Sequence, residues 1–69
     1  MNTVVVVVNG RSTTVPRGAT VAGLITQLKL ASQIVVVELN GEALSREEFA
    51  TAGLGAGDAI EIVQMVGGG

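Results

Sequence analysis

The apolar positions of the chain fall into short runs whose spacing alternates between that of strands and that of a helix. Val4–Val8 is β-branched throughout, which is typical of a strand. Asn9-Gly10 follows and predicts a type I′ hairpin turn, so Arg11–Val15 is the returning strand. Alternation places one set of side chains on a common face: Val4, Val6, Val8, Thr13 and Val15. Because the first strand is all valine, the pattern alone does not fix which face is buried.

A helix is predicted after the hairpin. Pro16-Arg17-Gly18 is expected to break the sheet, and Thr20 has the side chain of an N-cap. From there apolar residues recur at helical spacing, which predicts an amphipathic helix to about Leu30: Val21, Leu24, Ile25 and Leu28.

The middle of the chain predicts a central strand and a second turn. Ile34–Leu39 is apolar and β-branched, and Asn40-Gly41 follows it. Ser45 and Glu48 have capping-box spacing, so a short helix or 3₁₀ turn should begin there with Phe49 pointing inward.

The last strand is predicted over Ala59–Val66, after a glycine-rich loop from Gly53 to Asp58. Alternation puts Ile60 and Ile62 on one face. Their neighbours Glu61, Val63 and Met65 lie on the other.

The order of elements is hairpin, helix, strand, short helix, strand, which predicts an α+β fold. A β-grasp (ubiquitin-like) mixed sheet, with one main helix packed on one face, matches this order best. A ferredoxin-like split βαβ fold is the alternative, but a second long helix is lacking. We expect one domain over residues 1–66 and a flexible glycine tail over 67–69.

Composition excludes several classes of function. The 69 residues include no Cys or His, so disulfides, thiolate chemistry and histidine acid–base catalysis are absent. The net charge of −2 and an aromatic content of 1% argue against nucleic-acid binding. No apolar run approaches a membrane-spanning helix, and no secretory signal is evident, so we expect a cytoplasmic protein.

No catalytic or metal-binding constellation is predicted. Glu47 and Glu48 are adjacent and diverge on a helix, and the serines have no histidine to activate them. The loop at Gly53, Gly55 and Gly57 leads into a strand, whereas a phosphate loop leads into a helix. The remaining acids are not clustered as metal ligands.

The end of the chain is the exception. Gly67, Gly68 and Gly69 follow an apolar strand directly. They could be a tail without function. Alternatively, residues without Cβ can enter a narrow active-site channel, and the Gly69 carboxylate becomes reactive once a partner adenylates it.

Five segments distributed over essentially the whole chain carry a resemblance: Gly18-Ala19-Thr20-Val21, Val35–Gly41, Ser45–Phe49, Gly57–Val63 and Val66–Gly69. Together they resemble the ThiS family of bacterial sulfur carriers in thiamine biosynthesis. Family members often have Pro at the position of Ser45, Trp at Phe49 and an aromatic at Met65. The last difference could change affinity for a partner.

The resemblance implies a sulfur cycle at Gly69. A ThiF-like adenylyltransferase would use ATP to activate the carboxylate, and a sulfur relay from cysteine would leave a thiocarboxylate. Thiazole synthase, ThiG, would then take the sulfur into the thiazole ring. Gly67 and Gly68 would lead into the partner's active site, and the chain itself would bind no cofactor and perform no catalysis.

The strand pattern allows two interpretations of the outer sheet face, a surface that docks partners or an ordinary exposed face on which single apolar residues need no explanation. If the helix covers Val37, Leu39, Ile60 and Ile62, an apolar patch rimmed by acids lies on the opposite face near the tail. We call this set the docking face: Val36, Glu38, Glu61, Val63, Met65 and Val66.

Three other functions remain open from the sequence. The small subunit of molybdopterin synthase shares the fold and a Gly-Gly end. A ubiquitin-like protein modifier would join Gly69 to lysines, and this chain offers only Lys29 for chains of itself. A minimal interaction domain would need no tail chemistry.

Overall fold

The computed structural model describes residues 2–65, and they form one five-stranded mixed sheet with a helix on one face. The elements, in chain order, are β1 (Thr3–Val8), β2 (Arg11–Pro16), α1 (Val21–Gln27), β3 (Val35–Leu39), β4 (Glu42–Leu44) and β5 (Ala59–Gln64). Two 3₁₀ turns lie at Ser32–Ile34 and Arg46–Glu48.

The sheet order β2-β1-β5-β3-β4 identifies the β-grasp fold and not the ferredoxin-like alternative. β1 and β5 are parallel, whereas all other neighbours are antiparallel. Both predicted Asn-Gly turns are present, with positive φ at Asn9, Gly10, Asn40 and Gly41, as a type I′ turn requires.

The core lies between α1 and the inner face of the sheet. The predicted inner residues Val6, Val8 and Val15 are buried, and so are Val37, Ile60 and Ile62. Val21, Leu24 and Ile25 contribute the helix face, and Phe49 points inward as predicted, with an exposed fraction of 4%. The face choice that the all-valine strand left open is therefore settled by packing against α1.

Helix α1 begins as predicted but ends earlier. The Thr20 hydroxyl accepts a hydrogen bond from Gly23 N–H at 3.2 Å. After Gln27 the chain leaves the helix through a left-handed residue, Lys29, with φ 60°. The prediction of a helix to Leu30 was wrong, and Leu28, expected on the apolar face, is exposed because it lies at this C-cap.

Other boundaries also differ from the prediction. β1 begins at Thr3, one residue earlier than predicted, and β5 ends at Gln64, so Met65 lies outside the strand in which it was predicted. Ile34 belongs to a 3₁₀ turn and is partly exposed, so the central strand begins one residue later, at Val35. Pro16 does not break the sheet but ends β2, where an edge strand tolerates a residue without N–H. The edge strand β4 was not predicted, because it has only three residues, Glu42–Leu44, directly after the second turn.

The capping box of Ser45 and Glu48 is present. The Glu48 carboxylate accepts a hydrogen bond from Ser45 N–H at 2.7 Å, which starts the second 3₁₀ turn. That turn positions Phe49 under α1, where Ala22 N–H donates to the Phe49 carbonyl at 2.8 Å.

Candidate functional site

The outer face of β3 and β5 carries the predicted docking face. Val36, Val63 and Met65 are large apolar side chains with exposed fractions of 46%, 61% and 58%. Val36 and Val63 are direct cross-strand partners, so their side chains lie side by side. Val66 lies outside the described residues.

The two acids of the docking face are also direct cross-strand partners. Glu38 and Glu61 lie opposite each other in the β3–β5 register, and both are exposed. Like charges in this position repel each other by a few tenths to ~1 kcal/mol. The pair of Glu38 and Glu61 therefore does not stabilise the domain.

Basic residues are absent from this face among the strands of residues 2–65. Arg11 pairs with Val8 and so shares the core side of the sheet. Lys29 follows α1 and Arg46 begins the second 3₁₀ turn, which places both near the helix layer. The outer face therefore has a negative charge beside its apolar patch.

The end of β5 is held against the β3 side of the sheet. Met65 N–H donates to the Ile34 carbonyl at 2.6 Å, so pairing with the β3 side continues to the last described residue. Gly67, Gly68 and Gly69 lie outside the described residues. The docking face thus extends to Met65, the last residue that the structure describes.

Two asparagines that the sequence assigned only to turns also fix β5. The Asn9 side chain accepts from Ile62 N–H at 2.7 Å and donates to the Ile62 carbonyl at 3.1 Å. The Asn40 side-chain oxygen accepts from Ala59 N–H at 2.9 Å. Turn residues followed by a distant strand carry no sequence signal for such contacts.

The glycine-rich loop is a structural turn. The Asp58 carboxylate accepts from Gly55 N–H at 2.8 Å and from the Asn40 amide at 3.2 Å. Gly57 has a φ of 84°, which favours glycine. These bonds use the Asp58 carboxylate to close the loop before β5.

The other candidate groups are not assembled into a site. Within residues 2–65, no three acidic side chains lie close enough together to hold a metal ion. A cavity of about 230 Å³ lies between α1 and the second 3₁₀ turn, lined by Ala22, Thr26, Leu30, Ser32, Arg46, Phe49 and Ala50. Ligand sites usually occupy ~300–1,000 Å³. This cavity is also on the helix layer, away from the docking face.

Among residues 2–65, no helix combines the length and the apolar character needed to cross a membrane.

Comparison with known proteins identifies the family. The model of the ThiS family matches residues 6–69. The chain is 40% identical over 50 residues to the sulfur carrier protein ThiS of Bacillus subtilis (strain 168), covering 72% of this chain and 76% of that one.

A second relative is much longer than this chain. The chain is 35% identical over 63 residues to the thiazole synthase of Paramagnetospirillum magneticum (strain ATCC 700264 / AMB-1). The match covers 91% of this chain but only 19% of that protein, so the chain spans about a fifth of its length.

Two solved structures have the same fold. The crystal structure of the thiamine biosynthesis protein ThiS from Geobacter metallireducens has a TM-score of 0.79 and 41% identity, covering 94% of this chain and 99% of that one. An NMR structure of a thiamine biosynthesis protein from the same organism has a TM-score of 0.77 and 42% identity, covering 100% and 88%. The chain therefore belongs to the ThiS family of sulfur carrier proteins.

Proposed function

We propose that this protein carries sulfur as a thiocarboxylate on Gly69 and delivers it for thiazole formation in thiamine biosynthesis. The observation that carries the proposal is the family match, which extends through the glycines to residue 69. The fold supports it, because the chain is held in the sheet up to its last described residue, Met65, directly before the segment that carries the glycines.

The chemistry has two steps at one carbon. A ThiF-like adenylyltransferase transfers AMP from ATP to the Gly69 carboxylate and releases pyrophosphate. The terminal sulfur of a relay protein's persulfide then attacks the activated carbonyl carbon and displaces AMP, which forms an acyl disulfide between the two proteins. A thiol reductant cleaves the S–S bond, so that the thiocarboxylate remains on Gly69 and the relay thiol is released. The chain is a co-substrate in this cycle and performs no catalysis, and ATP binds to the activating partner.

Gly67 and Gly68 would allow the C-terminal segment to enter the active site of a partner. Without Cβ atoms, Gly67 and Gly68 pass through a channel that a side chain would block. Thiazole synthase then accepts the thiocarboxylate as a soft nucleophile that does not diffuse away. The match supports this partner, since about a fifth of a protein named thiazole synthase is similar to this chain. Because adenylation uses ATP, we place the cycle in the cytoplasm.

The docking face would hold these partners. Exposed apolar side chains beside two unpaired carboxylates fit a partner surface with apolar and basic side chains. The same face would serve successive partners, so each complex must dissociate before the next forms.

Intact mass spectrometry tests the function. Incubation with the activating enzyme, ATP and a sulfur donor should replace one oxygen of the C-terminus by sulfur. A chain without Gly68 and Gly69 is the control and should not react. An unchanged mass for the full chain under conditions that load a known ThiS protein would refute the proposal.

A further inference from the structure

β1 and β5 are adjacent and parallel, but β1 ends at Val8, whereas β5 continues to Gln64. Their register contains only Val7 with Ala59 and Val8 with Ile60. Asn9 N–H then donates to the Ile60 carbonyl at 2.9 Å, and the hairpin turn carries the chain away. Within residues 2–65, no strand lies beside the end of β5 on this side.

Alternation determines which main-chain groups point to this side. Asn40 N–H bonds the Ala59 carbonyl, and Met65 N–H bonds the Ile34 carbonyl, so these odd-numbered positions bond toward β3. Ile60 and Ile62 bond toward β1, and the Asn9 side chain takes over both main-chain groups of Ile62. Gln64 is the next even-numbered position, so its main-chain groups also point toward the β1 side. The Asn9 side chain is already bonded to Ile62 and does not pair with Gln64.

The N–H and carbonyl of Gln64 therefore point to an open sheet edge. Gln64 itself is exposed. Folded proteins usually cover or disrupt such edges, because unpaired strand groups attract other chains. Here the edge stays open at Gln64, three residues before Gly67, the first glycine of the segment that the proposed chemistry uses.

We propose that the open edge of β5 at Gln64 pairs with an extended main-chain segment of thiazole synthase, the partner that the match to a thiazole synthase supports. Such strand addition orients the chain through backbone bonds and requires no particular side chain. The partner rests on the proposed function. A second copy of this chain is a poor occupant, since two hydrogen bonds are too few to hold a dimer.

A proline substitution at position 64 tests the pairing. Gln64→Pro removes the N–H that faces the open edge, while the β3 side keeps its bonds because those belong to Val63 and Met65. Gln64→Ala is the matched control, which removes the side chain but keeps the N–H. We expect Gln64→Pro to weaken binding to thiazole synthase by about five- to tenfold. Gln64→Ala should bind within about twofold of the unaltered chain.

Amide hydrogen exchange supplies a second measurement on the unaltered protein. The Gln64 N–H should exchange rapidly in the free chain and become protected in the complex. Equal binding by Gln64→Pro and the unaltered chain would overturn the inference, and so would an unprotected Gln64 amide in the complex of the unaltered chain. An equal loss with Gln64→Ala would also overturn it, because the side chain would then make the contact.

The two proposals fail separately. Sulfur loading of the unaltered chain is read by mass, whereas edge pairing is read by affinity and exchange. Normal loading without Gln64 protection leaves the function standing and removes the edge pairing.

Discussion

Asn9 combines two roles in one residue. Its φ of 50° is the left-handed conformation of a type I′ turn, which Asn adopts more readily than most residues. Its side chain meanwhile forms two hydrogen bonds to the main chain of Ile62, far along the sequence. Asn9 thus lies in the turn that follows β1, and its side chain bonds the main chain of β5 where β1 no longer does.

Replacing Asn9 separates these roles. Asn9→Gly keeps the turn conformation but removes both bonds to Ile62, and we expect a loss of about 1–2 kcal/mol in the free energy of unfolding. Asn9→Ala should lose more, because it also carries a Cβ at positive φ. Urea denaturation followed by circular dichroism measures both. A Gly variant as stable as the parent would show that the side-chain bonds add nothing.

Lys29 occupies a position that favours glycine. It ends α1 with φ 60°, its N–H donates to the Thr26 carbonyl, and Leu30 N–H donates to the Ile25 carbonyl. This is a Schellman motif with a lysine where glycine is usual. The end of the helix was not predicted because the sequence has lysine at this position, where glycine would have indicated a helix end.

Lys29→Gly should therefore stabilise the protein. Relief of the left-handed strain, less the greater freedom of glycine in the unfolded chain, gives an expected gain of about 0.5–1 kcal/mol. Lys29→Ala keeps the Cβ and should give no such gain. The midpoint of urea denaturation compares the three proteins, and an equal gain for both variants would contradict the strain argument.

At the scale of elements, α1 depends on its N-cap because it has only seven residues. Thr20→Ala should cost about 1 kcal/mol of the free energy of unfolding, whereas Thr20→Ser keeps a hydroxyl and should cost less. Thermal unfolding by circular dichroism distinguishes the two. If both variants unfolded alike, the bond from Gly23 N–H to the Thr20 hydroxyl would not be the stabilising contact.

The elements that the sequence predicted are those with strong local signals. The two Asn-Gly turns, the Thr20 cap and the Ser45–Glu48 capping box each act within a few residues, and each is present. The edge strand β4 depends instead on register with β3, and Leu28 depends on where the helix stops. Such tertiary effects are not visible in local spacing.

The same division holds for the candidate site. Alternation along β3 and β5 correctly separated Val36, Glu38, Glu61, Val63 and Met65 from the core. It did not show that Val36 faces Val63 or that Glu38 faces Glu61, because register is set by the pairing of distant strands. The contacts of Asn9 and the open edge at Gln64 were hidden for the same reason.

At the scale of the whole molecule, the two faces of the sheet have different roles. The inner face and α1 hold the fold, while the outer face combines exposed apolar side chains with two carboxylates. A change on the outer face should therefore alter partner binding with little effect on stability.

Val63→Ser tests this division, with Val5→Ser as its control. Both valines are exposed on the outer face, at 61% and 51%, but Val5 lies on β1, outside the docking face. Loss of an apolar side chain at an interface contributes about 1–2 kcal/mol, so Val63→Ser should weaken binding to thiazole synthase or the activating enzyme by roughly tenfold. Val5→Ser should leave affinity close to that of the parent.

Both variants lose the same β-branched side chain at an exposed strand position, so a general effect on the sheet would appear in both. Isothermal titration calorimetry gives the affinities, and urea denaturation verifies that the two variants retain similar stability. Equal weakening by Val5→Ser would mean that the partner covers the whole outer face, beyond β3 and β5. No weakening by Val63→Ser would instead leave the contact to the tail and to the open edge of β5, where Gln64→Pro measures it.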